Sequence, residues 1–145
     1  MYKNILLPTD GSELSNRAVR NGIKLAKALK ARVIGMTNTP VWHDIYAGAG
    51  ARMMSVDDYE RETKATAGKA LATIKRLADK ERVRCTTVHA RQPDAWEAII
   101  RTARGKGCDL IVMASHGRSG MKAFVLGSET NKVLAHTKIP VLVHR

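Results

Sequence analysis

The chain has 145 residues, 44% of them apolar, which suits one domain spanning 1–145 with an ordinary core and excludes a disordered chain. Its net charge of +12 raises nucleic acid, anionic membranes and anionic ligands as partners. Lys and Arg are spread along the whole length and aromatics make up only 4%, so a solvated basic surface is expected, with no base-stacking platform and no nucleic acid partner. No apolar run approaches the roughly 20 residues needed to span a bilayer. Met1 to Ile5 lacks a signal-peptide apolar core, so a cytoplasmic location and no membrane partner are expected.

Ile5-Leu6-Leu7, closed by Pro8, reads as a buried strand. Leu14, Ala18, Gly22, Leu25, Ala26 and Leu29 then recur at helical spacing, with Ser12 as the N-cap. Val33 to Met36 is a second strand. Residues 38–55 contain Pro40, Gly48 and Gly50 and show no period, and a loop this long points to function or mobility. Trp42 and Tyr46 within it suit either closure over a ligand or a surface or dimer contact. Ala67, Ala70, Leu71, Ile74, Leu77 and Ala78 mark a helix face. Val83 to His89 is a third strand. Pro93 suits a first helical turn ahead of Ala95, Ala98, Ile99 and Ala103, with Trp96 toward the core. Leu110 to Met113, Ser128 to Ala135 and Ile139 to Val143 give the fourth strand, the last helix and the fifth strand. This alternation specifies a doubly wound, Rossmann-like α/β fold, a five-stranded parallel sheet with expected order 3-2-1-4-5. Ligands of such sheets bind where the winding reverses, here between strands 1 and 4.

The loops after those two strands are the most conspicuous small-and-polar segments. Ala114-Ser115-His116-Gly117 is followed, nine residues on, by Gly127-Ser128. Glycines let backbone N–H groups converge on phosphate, and a helix opening at Ser128 favours the same anion. The same glycines also suit turns and a cap, so residue types alone leave both readings open. Arg118 and Lys122 would add positive charge. His116 suits a phosphate contact or a turn filler equally, and Asp10 suits an Asx-turn or helix cap as well as a ligand contact.

Taken together these segments resemble the ATP-binding class of the universal stress protein family, which carries Gly-2x-Gly-9x-Gly-Ser/Thr after strand 4. Gly117, Gly127 and Ser128 match with the same spacing, and Ala114 stands at the first glycine. Ile5 to Ser12 and Lys138 to Val143 resemble the family's opening and closing segments. The resemblance implies ATP as ligand, with ADP or AMP as alternatives and Mg or Mn carried by the phosphates. It implies Asp10 at the adenine-ribose end beside Pro8 and Thr9, and Met113 flanking the base. Asn38 stands where the family usually has an apolar adenine contact. Gly117, Gly127, Ser128 and Thr130 would hold ribose and phosphates, with Ala114, His116, Arg118 and Glu129 completing the set. It also implies a homodimer through antiparallel pairing of Ile139 to Val143, and a nucleotide-dependent switch or sensor in the stress response with a further protein partner.

The alternative is a slow ATPase or autophosphorylating enzyme. Against fast turnover, no Walker loop, HIGH-type, SGGxDS or G-x-S-x-G motif occurs. Glu129, in a first helical turn, suits a dipole partner, which leaves His116 as the best base candidate. The histidines at 43, 89, 116, 136 and 144 form no HxxxH or HExxH pattern, so no protein-held metal is expected, and no residue is assigned a catalytic role. Cys85 and Cys108 form no CxxC and read as reduced thiols.

Overall fold

Ile5, Leu6 and Leu7 are each 0% exposed, because their strand is covered on both faces and has no solvent side. Each such burial contributes about 1.5–3 kcal/mol. The computed structural model describes residues 1–48, 54–117 and 126–145. Five strands, β1 (Asn4–Pro8), β2 (Arg32–Asn38), β3 (Cys85–Ala90), β4 (Leu110–Ala114) and β5 (Val141–His144), form one sheet. Its order is β3-β2-β1-β4-β5 with every pairing parallel, as expected. The helices are α1 (Glu13–Leu29), α2 (Trp42–Tyr46), α3 (Val56–Lys80), α4 (Ala95–Gly105) and α5 (Ser128–His136).

Alternation along β1 divides the core in two. Ile5 and Leu7 join Val19 and Ile23 of α1 and Ile74 of α3 on one face. Leu6 joins Ile99 of α4 and Val133 of α5 on the other. Among the described residues no helix is long and apolar enough to cross a membrane.

The element boundaries differ from expectation for local reasons. The helix α3 begins at Val56, well before Ala67, because its first turns are mostly exposed and carry no apolar period. Ser55 opens it by accepting from Asp58 N at 3.2 Å, with Asp57 and Asp58 in the first turn. The segment 38–55 contains the short helix α2. Its Trp42 donates to Met54 O at 2.8 Å and packs on Tyr46 at 5.5 Å, and Tyr46 meets Tyr59 of α3 edge-on at 5.9 Å. Pro93 lies ahead of α4, which starts at Ala95. Trp96 is half-buried against the core and stacked near His136. Val83 closes the turn after α3 by donating to Ala78 O, so β3 starts at Cys85. β5 starts at Val141 because Pro140 has no N–H to give, although its carbonyl still accepts from Ile111 N at 2.9 Å.

Candidate functional site

Helices α1 and α3 cover one face of the sheet and α4 and α5 the other, so the chain leaves β1 and β4 in opposite directions. The loops beyond their carboxyl ends part and leave a cleft of ≈ 380 Å³.

From β1, Thr9 N extends the strand pairing by donating to Met36 O at 2.8 Å. The Thr9 hydroxyl meets Ser15 Oγ at 2.9 Å and accepts from Gly11 N at 3.0 Å, so it is consumed inside the loop. Asp10 Oδ1 accepts from Ser12 N at 2.9 Å, which is an Asx-turn, and Ser12 in turn caps α1 through Ser15 N. Asp10 nevertheless lines the cleft, so the turn role and exposure to a ligand coexist.

From β4, Ala114 is the last strand residue and pairs with His144. Among the described residues the non-glycine positive φ angles are at Lys30 and Arg82 alone. Ala114 therefore needs no left-handed backbone, and alanine fits at this place in the motif. Thr130 Oγ1 donates to Ala114 O at 3.0 Å, tying α5 to the end of β4. Gly127 donates to Ser115 O at 2.8 Å and has φ −61°. A Cβ there would lie 3.1 Å from His116 Cα and 3.3 Å from Ser115 O, so glycine is set by backbone approach. A Cβ on Gly117 would run into the Asp10 carboxylate, which is how the two loops meet. His116 Nδ1 sits 3.1 Å from Ser115 Oγ.

The helix α5 opens on Gly127, whose lack of a side chain leaves its first N–H groups without a side-chain cap. Those groups and the helix dipole attract an anion. Glu129 does more than balance its own helix: Oε2 accepts from Trp96 N at 2.8 Å and so caps α4, whose own N-cap Asp94 makes no such bond. Asn38 is also committed. It donates to Gln92 O at 3.0 Å and accepts from Gln92 N at 2.9 Å, joining the ends of β2 and β3.

Pro8, Thr9, Asp10, Asn38, Met113, Ala114, His116, Gly117, Gly127, Ser128, Glu129 and Thr130 all line this one cleft. Arg118, like Lys122, lies outside the described residues. Sequence reading missed Ser15, Met36, Thr37, Ala95 and Ile99. Met36 and Thr37 were recoverable, since they close strand 2 at the expected end of the sheet. Ala95 and Ile99 read as core, and Ile99 is core, yet both also reach the cleft. Trp42 and Tyr46 do not line it.

Beside the cleft, Arg91 forks onto Glu60 at 2.6 and 2.7 Å and holds Thr39 O at 3.1 Å and Pro40 O at 3.2 Å. The guanidinium bonded to it lowers the Glu60 pKa. His89 Nε2 lies 2.6 Å from Thr39 Oγ1, and burial, then the Arg91 charge, lowers its pKa. No signal in the sequence singled out this clamp. Among the described residues no group of three His, Cys, Asp or Glu side chains is gathered to hold a metal ion.

The model of a family described as the universal stress protein family matches residues 1–145. A Methanocaldococcus jannaschii protein named universal stress protein MJ0531 is 31% identical over 143 residues, covering 99% of this chain and 82% of that one. The solved structure of MJ0577 from the same organism superposes with a TM-score of 0.80 at 27% identity, covering 99% and 96% of the two chains. A universal stress protein from Archaeoglobus fulgidus, solved in complex with dAMP, shares the fold at a TM-score of 0.69 and 18% identity, covering 99% and 98%.

Proposed function

The chain belongs to the universal stress protein family, and from that premise we propose that it binds ATP between β1 and β4 and acts as a nucleotide-dependent switch in the stress response. One observation carries the reading: Gly117, fitted against Asp10, and Gly127, fitted against His116, bring two loops together at the uncapped start of α5. A larger residue at either place would push the two loops apart at the site that this reading gives to phosphate. Phosphates are assigned to Gly117, Gly127 and the N–H groups of Ser128 to Thr130. Ribose is assigned to Asp10 beside Pro8 and Thr9, and adenine to the apolar wall of Met36, Ile99 and Met113. Asn38, Ala114 and His116 shape the walls. The dAMP carried by the A. fulgidus relative supports an adenine nucleotide. A magnesium or manganese ion bound with ATP would neutralise phosphate charge.

The side chains suit retention of ATP better than turnover. Fast phosphoryl transfer needs an oriented nucleophile, yet Asp10 is engaged in its turn and Glu129 with Trp96. The protein is placed in the cytoplasm as a homodimer. The strand β5 is a sheet edge, and Leu142 on it is 43% exposed. Its free backbone groups suit antiparallel pairing across a two-fold axis.

Heat-denatured protein analysed by mass spectrometry should release an adenine nucleotide, and its identity separates ATP from ADP or AMP. Titration calorimetry should show ATP binding that Gly117→Val abolishes while the circular dichroism spectrum is kept. Unchanged affinity in that folded variant would refute the site.

A further inference from the structure

Every strand runs the same way, so the strand starts and the helix carboxyl ends gather at the pole opposite the cleft. Basic side chains concentrate there. Lys3, Lys30, Arg32, Arg82 and Arg84 surround the starts of β1, β2 and β3. The neighbouring carboxylates are engaged: Glu81 with Lys27 at 2.8 Å, Asp79 with Lys75, and Asp109 with the backbone N–H groups of Lys3 and Asn4. Among the described residues none of the five cations named first forms an ion pair, although Arg32 Nε donates to Asn4 Oδ1.

Helix dipoles explain part of this, since cations favour helix carboxyl ends and Lys27 and Lys80 sit in last turns. They do not explain the shape. Two grooves, of ≈ 490 and ≈ 450 Å³, share Arg32 and Arg84 as common walls. One is also lined by Val33, Val83 and the Lys75–Asp79 ion pair, the other by Tyr2 and Leu29. The result is a trough across three strand starts, spanning about 10 Å between the outer strand axes at the usual strand spacing. Lys30 at φ 54° and Arg82 at φ 57° stand in left-handed backbone that glycine would adopt more cheaply. Cations are therefore kept at the rim at a conformational cost.

We propose that this trough docks an extended acidic segment of a partner protein, with carboxylates on Arg32 and Arg84 and apolar side chains set between them. Arginine forks match carboxylates in two-point contacts, and the apolar lining suits a peptide that alternates acidic and apolar residues. Single-stranded nucleic acid is disfavoured, because Tyr2, the single aromatic residue lining the trough, is half-buried against the core and offers no stacking face. This inference is independent of the nucleotide cleft.

The test is fluorescence anisotropy with a labelled peptide of alternating Glu and Leu, alongside a labelled DNA duplex of similar charge. The peptide should bind and weaken with salt. An Arg32→Glu, Arg84→Glu double variant should lose about tenfold or more in affinity, as removal of paired interface charges does. The control Arg17→Glu, Arg20→Glu on α1 makes the same change in net charge and should lose less than about threefold. Melting curves confirm that both variants fold. Absence of peptide binding, equal loss in both doubles, or tighter binding of the duplex with the same dependence on Arg32 and Arg84 would each overturn the proposal.

Discussion

The two poles of the sheet present different means of attracting negative charge. At the carboxyl pole, glycines and an uncapped helix start expose backbone N–H groups, and polar side chains nearby are engaged with other backbone groups. At the amino pole the helix dipoles point the unfavourable way, and Lys and Arg side chains reverse the sign. Where the chain needs close approach it spends glycine; where it could use glycine for an easy turn, at positions 30 and 82, it keeps a cation. A backbone site is rigid and shaped for one ligand, whereas a rim of long side chains adapts to a variable partner. The contrast is useful because it can be broken from either end.

The largest expected effect lies at the base of the carboxyl pole. Thr130 is 2% exposed, and its hydroxyl is paired with Ala114 O. Thr130→Val keeps the shape and leaves a buried carbonyl short of a partner, which should cost about 1–3 kcal/mol in urea unfolding. An unchanged midpoint would show that α5 is not fastened to β4 by this bond.

Glu129 comes next. Glu129→Ala removes the cap on Trp96 N and should cost about 1 kcal/mol, the usual value of a lost cap. Glu129→Gln keeps an acceptor and should restore most of that stability. Because it also removes a negative charge from the cleft wall, it should tighten ATP a few-fold in calorimetry. Weaker binding by Glu129→Gln would instead make the carboxylate a ligand contact and blur the division between backbone and side chain at this pole.

The smallest effect tests the amino pole. Arg82→Gly relieves left-handed backbone and should raise stability by at most about 1 kcal/mol, while weakening the acidic peptide. A loss of stability on this change would show that the Arg82 side chain packs structurally, and the argument that charge is retained there would fall.

Much of this molecule was legible from local signals. The run Ile5-Leu6-Leu7, closed by Pro8, reads as a buried strand, and Ser12 and the period of α1 follow from capping and helical geometry. The spacing of Gly117, Gly127 and Ser128, together with the strand order, points to loops that line the cleft. These features depend on neighbours in sequence or on a topology that parallel strands restrict to few choices. What only the tertiary structure decided depends on pairs far apart in the chain. Glu129 caps a helix that begins more than thirty residues earlier, Asn38 is tied to Gln92, Arg91 clamps Glu60, and Arg32 donates to Asn4. Each is an ordinary polar residue whose partner is set by packing, so its own flanking sequence contains no trace of the contact. Ala114 shows the same limit from the other side. Its fit at a glycine place in the motif was decided by the extended backbone of a strand end, which residue type does not reveal.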